Sequence, residues 1–108
     1  MTDKRIVLTT AGSEEEARKI ARYLVENRLA ACVNIIPQMR SIYRWQGKVE
    51  EADEWLLLIK TTERNFLAVS DAVKELYSYE IPECVCIAIE AGSPAYLRWI
   101  EESTAEKS

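Results

Sequence analysis

The amino-acid sequence predicts an α+β sandwich: a four-stranded antiparallel sheet built in the order β-α-β-β-α-β, two helices on one of its faces, and a short C-terminal helix. Three observations predict it. Strand-like and helix-like hydrophobic periods alternate in that order along the chain. Two extended stretches stand back to back in the middle, separated only by Gln46-Gly47, so they form a hairpin rather than a crossover. At 108 residues the chain is the size of one domain. Residues 1–108 are therefore read as a single domain, with its core at about 5–102.

Each element has a local reason. Arg5–Ala11 is a β-branched run and reads as the first strand. Gly12 ends it, and Ser13-Glu14-Glu15-Glu16 fits the S-x-x-E capping box at a helix start. Behind that cap Ala17, Ile20, Ala21, Leu24 and Val25 recur at helical spacing, which carries the helix to Asn27-Arg28. Ala31–Trp45 and Lys48–Thr62 are the two hairpin arms. Pro37 has no N–H to give to a ladder, so it marks a bulge or bend in the first arm. The unbroken apolar run Trp55–Ile59 suits a central strand covered on both faces.

Glu63–Tyr77 reads as the second helix, capped by Thr62, with Phe66, Val69, Val73 and Leu76 on one stripe. Ser78–Glu83 is an irregular polar approach to the last strand, Cys84–Glu90. Ser93 caps a third helix over Ala95–Glu102, with Pro94 at its first position, and Thr104–Ser108 is expected to fray. Right-handed crossovers lay both main helices on one sheet face, the split-βαβ, ferredoxin-like arrangement.

The hairpin is too long for such a body. Each arm would extend roughly 50 Å at the usual rise of a strand, whereas a compact chain of this length has a radius of gyration of about 13 Å. Either Pro37 kinks the arm and Glu50–Glu54 forms a ragged loop, or the ribbon projects. A projecting ribbon bearing Ile42, Tyr43 and Trp45 has bare edges that another chain must cover. Pairing with neighbouring subunits in a closed symmetric oligomer is the reading preferred.

Composition excludes several functions. Net charge is −4 and no basic run exceeds Lys4-Arg5, so nucleic acid has no electrostatic footprint to bind. The sequence holds no histidine, which removes Ser-His-Asp and Cys-His catalysis and every histidine-bearing zinc site. The apolar run Leu56–Ile59 is far too short to insert in a membrane. Three cysteines, an odd number, with no signal peptide read at the start, point to reduced thiols in the cytoplasm.

The motifs Leu29–Asn34 (LAACVN), Ser41–Lys48 (SIYRWQGK), Leu58–Thr62 (LIKTT), Tyr79–Glu83 (YEIPE) and Tyr96–Ile100 (YLRWI) occur in this order and spacing. Together they resemble the CutA family, the divalent-cation tolerance proteins, from roughly Ile6 to Glu102. The resemblance implies a ferredoxin-like fold and a homotrimer that uses the long β-hairpin arm for trimerisation. It also implies a cytoplasmic location in bacteria and an association with tolerance of copper and other divalent metals. For animal relatives it implies an association with membrane anchoring of acetylcholinesterase. The chain departs from the pattern where copper matters. The first-strand cysteine of copper-binding relatives falls on Thr9, their histidines fall on Leu76 and Tyr77, and the following proline on Ser78.

The remaining candidates are weighed on their chemistry. Cys84 and Cys86 lie two apart on a strand, so their thiols share a face and could hold a soft ion such as Cu(I); small core hydrophobes are the plainer reading, and the core is also the reading for Cys32. Glu80 and Glu83 flank Pro82 with no evident core role, and supply either hard-cation oxygens or an acid/base pair; solvated or cross-subunit salt-bridging carboxylates are the plainer reading. The acidic run Glu50–Glu54 reads as a solvated strand start. A cleft between subunits lined by Tyr43, Trp45, Lys60, Tyr79, Glu80, Glu83 and Trp99 is the candidate ligand pocket, with interface anchoring as the alternative for its aromatics.

Two functions compete. One is a small trimeric cytosolic protein of divalent-metal tolerance without a tight copper site of its own, holding copper or another divalent cation weakly if at all. The other is a trimeric signalling or scaffold protein, resembling the PII-type regulators, that binds a small molecule in clefts between subunits. An enzyme is not expected, since no nucleophile stands beside a recognisable base.

Overall fold

A computed structural model describes residues 2–78 and 80–106. Its elements are β1 (Lys4–Ala11), α1 (Glu14–Glu26), β2 (Cys32–Trp45), β3 (Lys48–Thr62), α2 (Phe66–Leu76), β4 (Val85–Ala88) and α3 (Pro94–Thr104). All pairings are antiparallel, and the strand order across the sheet is β2-β3-β1-β4. That is the ferredoxin-like order that two right-handed crossovers produce.

Local chemistry sets the boundaries. Ser13 accepts the Glu16 N–H at 3.1 Å, while the Glu16 carboxylate reaches back to the Gly12 N–H at 3.3 Å, one residue before the capping-box position. Gln46 and Gly47 turn the hairpin with φ of 48° and 81°, the double left-handed geometry of a type I′ turn. Between Ile36 and Met39 the β2–β3 register slips by one residue, with Gln38 at φ 58°. This is the bulge anticipated at Pro37, and it reverses which face of β2 each later residue occupies.

Four boundaries depart from the sequence reading. A single 3-10 turn, Glu63–Asn65, precedes α2, and the Thr62 hydroxyl caps nothing: it is buried without a hydrogen bond. The helix stops at Leu76 because Tyr77 is extended. The last strand is shorter than anticipated, Val85–Ala88, limited by its ladder to Arg5–Leu8. Thr104 is helical and buried rather than frayed, its hydroxyl donating to the Ile100 carbonyl at 2.8 Å.

The core lies on one side of the sheet. Val7, Ala11, Leu57 and Ile59 meet Ala17, Ile20 and Leu24 of α1 and Val69 and Val73 of α2, all of them buried. The other face is only partly covered. There α3 packs against β1 and β3, with fully buried Ile100; Glu101 pairs with Lys4 at 3.0 Å and with Arg64 at 2.6 Å. Beyond α3 the face is open: Ile6, Leu8, Leu56 and Leu58 are half-buried, while Ile36, Val85 and Ile87 are 43–48% exposed. The Trp55–Ile59 run is therefore covered on its odd-numbered face and only half covered on its even-numbered one.

β1 stops at Ala11 opposite Trp55, yet the β2–β3 ladder runs on to Trp45 and Lys48. No ragged loop forms at Glu50–Glu54, and the ribbon projects. The molecule measures 47 × 26 × 22 Å, with a radius of gyration of 14.5 Å, above the value of about 13 Å for a compact chain of this length. Among the described residues no helix is long and apolar enough to cross a membrane.

Candidate functional site

The corner left where β1 ends and the ribbon continues is a hollow of about 670 Å³. Its floor is Thr10 and Glu54, one wall is Ser41, Ile42, Tyr43 and Trp45 of β2, and the other is Ser78, Glu80, Ile81 and Glu83 of the segment between α2 and β4. The bulge places the first wall. Past Met39 the odd-numbered residues of β2 share a face with Glu54, which stands opposite Met39 in the ladder.

The second wall is pinned to β1. Thr9 donates its hydroxyl hydrogen to the Glu83 carbonyl at 2.6 Å, and the Thr10 and Tyr77 hydroxyls share a hydrogen bond of 2.7 Å. Burial pushes the Tyr77 hydroxyl pKa up, the bond to Thr10 opposing that shift only in part. Glu83 is exposed along one side, but the hollow shields its carboxyl from enough water to raise its pKa, and negative Glu54 nearby adds to the rise.

Tyr43, Trp45, Glu80 and Glu83 are thus brought together within one chain. Lys60 and Trp99 do not line the hollow. Lys60 stands on the open sheet face and donates to Asn34 Oδ1 at 2.5 Å, and Trp99 stacks on Tyr96 with ring centroids 5.5 Å apart. Tyr79 lies outside the described residues. Glu54 is a member that the sequence does not announce: it sits in an acidic run that reads as solvated, yet it is only 8% exposed. Its parity with Leu56 and Leu58 was the available signal, masked by the acidic neighbours Glu51 and Asp53, which do face solvent and pair with Arg40.

The cysteine readings need correction. Cys84 is half-buried against the core, and burial raises its thiol pKa, but Cys86 is exposed on the edge strand rather than buried. Cys32 is half-buried opposite Lys60 on the open face, outside the core. The three thiols are free, and among the described residues no three His, Cys, Asp or Glu side chains gather as a metal cage. At the positions that copper-binding relatives were expected to use, Thr9 and Tyr77 are committed to the hydrogen bonds above.

Comparison with known proteins follows the same lines. Residues 5–103 match the model of the family described as CutA1 divalent ion tolerance protein. The chain is 52% identical over 101 residues to the Divalent-cation tolerance protein CutA of Thermus thermophilus, covering 94% of this chain and 98% of that one. The solved Thermus structure superposes with a TM-score of 0.92 over 94% of this chain and 99% of its own. A structure from Archaeoglobus fulgidus, described as a periplasmic divalent cation tolerance protein CutA, is 42% identical with a TM-score of 0.92, over 94% and 99% of the two chains. The chloroplastic Protein CutA 1 of Oryza sativa is 39% identical over 94% of this chain, which spans only 57% of that relative.

Proposed function

This chain belongs to the CutA1 divalent ion tolerance family, and from that membership we propose that it is a homotrimeric protein of divalent-metal tolerance, a binding protein rather than an enzyme. The open sheet face carries the reading. Ile6, Leu8, Ile36, Leu56, Leu58, Val85 and Ile87 form a contiguous apolar surface beside an arm whose edges are unpaired. A monomer would leave both features in water, where they invite aggregation. A closed ring of copies covers the face and pairs the arm at once.

The copper part of the reading is weak binding without a dedicated site. The carboxylates are hard, unselective ligands for Cu(II), and the Cys84 thiol resists ionisation. Three free thiols, one of them exposed, suit a reducing compartment and support a cytoplasmic location for this chain, whereas the names of the Archaeoglobus and rice relatives point to periplasm and chloroplast. Sedimentation equilibrium tests the assembly. A trimer mass at micromolar concentration is expected, and a stable monomer in mild buffer overturns it.

One observation favours a second reading, a trimer that binds a small ligand in the manner of the PII-type regulators. The hollow is walled by aromatic and carboxylate side chains, and its size is that of a small-molecule site.

A further inference from the structure

The hollow has a chemical character that narrows its occupant. Glu54 is only 8% exposed and forms part of the hollow's floor. Among the described residues no hydrogen bond or ion pair reaches its carboxylate. Its titratable neighbours offer no positive charge: burial raises the pKa values of Glu83 across the hollow and of Tyr77, and Glu54 adds a lesser part to each rise. A carboxylate with no hydrogen bond or ion pair of its own, at the floor of an open hollow, is available to a charge-assisted partner that enters there. The arm's own cations do not supply it. Arg40 is engaged by Glu51 and Asp53, while Arg44 and Lys48 are exposed and line no part of the hollow.

Two further features say which positive charge fits. Glu54, Glu80 and Glu83 are not gathered as a metal cage, so the charge is spread around a space far larger than one ion. Tyr43 and Trp45 line the same wall, and an ammonium or guanidinium group is drawn to both aromatic rings and carboxylates. Resting on the ligand-cleft reading above, we propose that the hollow binds a small organic cation, its ammonium or guanidinium group seated against Glu54 between the Tyr43–Trp45 wall and Glu83.

Calorimetric titration of the assembled protein tests this with agmatine and choline as probes, against Mg²⁺ and neutral 1-butanol. Saturable binding of at least one organic cation is expected, with none for butanol. Glu54→Gln should weaken it about tenfold or more, whereas Glu102→Gln, which removes the same charge from α3, should leave it unchanged. Absence of saturable binding by either organic cation overturns the proposal. So does tighter binding of Mg²⁺ through Glu54, or organic-cation binding that Glu54→Gln leaves intact. Sedimentation of the same samples separates sources. If neither probe binds and Glu54→Gln dissociates the assembly, the missing countercharge is a basic side chain of a second copy, which also overturns the proposal. If the wild type proves monomeric yet binds through Glu54, the trimer reading fails and this one stands.

Discussion

Glu83 illustrates how one side chain reports the shape around it. Its pKa is raised, first by partial loss of water and then by Glu54. A carboxyl whose pKa is higher folded than unfolded binds protons more readily in the native state, so its ionised form costs stability. The cost is full above the raised folded pKa, shrinks as pH falls through it, and vanishes below the ordinary glutamate value. Glu83→Gln should therefore melt higher than wild type at neutral pH and together with it at about pH 3; paired calorimetric scans check this, and a gain that persists in acid would contradict the electrostatic cause. Cys84 supplies a second prediction. With its thiol pKa raised and Cys86 alone exposed, the pair should compete poorly for Cu(I) against a calibrated chelator, wild type matching Cys84→Ser/Cys86→Ser. Tight binding lost in the double variant would restore the pair as a metal site. The sequence motifs group Tyr43, Trp45, Glu80 and Glu83 with Lys60 and Trp99 in a cleft between subunits; the structure gathers the first four within one chain and leaves the other two outside. The motifs miss Glu54, because the acidic neighbours Glu51 and Asp53 hide the parity that Glu54 shares with Leu56 and Leu58.

At the scale of elements, the hairpin turn is where sequence and backbone agree most closely. Gly47 sits at φ 81°, and a Cβ added there meets nothing within 4 Å, so the cost of Gly47→Ala is conformational and not steric crowding. A loss of about 1 kcal/mol is expected by urea denaturation. Gln46, also left-handed at φ 48°, should gain stability on substitution by Asn, the residue type I′ turns favour at that place. Equal midpoints for the two variants would argue against this turn. Elements governed by such local rules, namely the Ser13 cap, the Pro94 start of α3 and the Pro37 bulge, were legible in the sequence. Those governed by what lies across the fold were not. Thr62 looks like a helix cap until the 3-10 turn of Glu63–Asn65 carries the chain away from its hydroxyl, and Thr104 looks like a loose end until α3 packs under β1 and β3 and buries it.

For the whole molecule the question is what covers the open face, and Ile87 offers the sharpest handle. It lies on the short edge strand β4 opposite Ile6, with its side chain 44% exposed and directed away from the α1–α2 core. An aspartate there remains in water in a single chain, so folding should survive. In an assembly that covers the face, the same carboxylate must lose its water with no cation beside it, a cost of several kcal/mol at each contact. Ile87→Asp should therefore sediment as a monomer with an unchanged far-UV spectrum. Leu67→Asp makes an equal change at a residue 74% exposed on α2, and should keep the wild-type mass. Assembly also binds only the folded form, so the wild-type melting midpoint should rise with protein concentration in a reversible melt, and that dependence should disappear in Ile87→Asp. If Ile87→Asp and wild type sediment alike, the apolar face is not the surface through which copies meet, and the projecting arm alone would have to hold them.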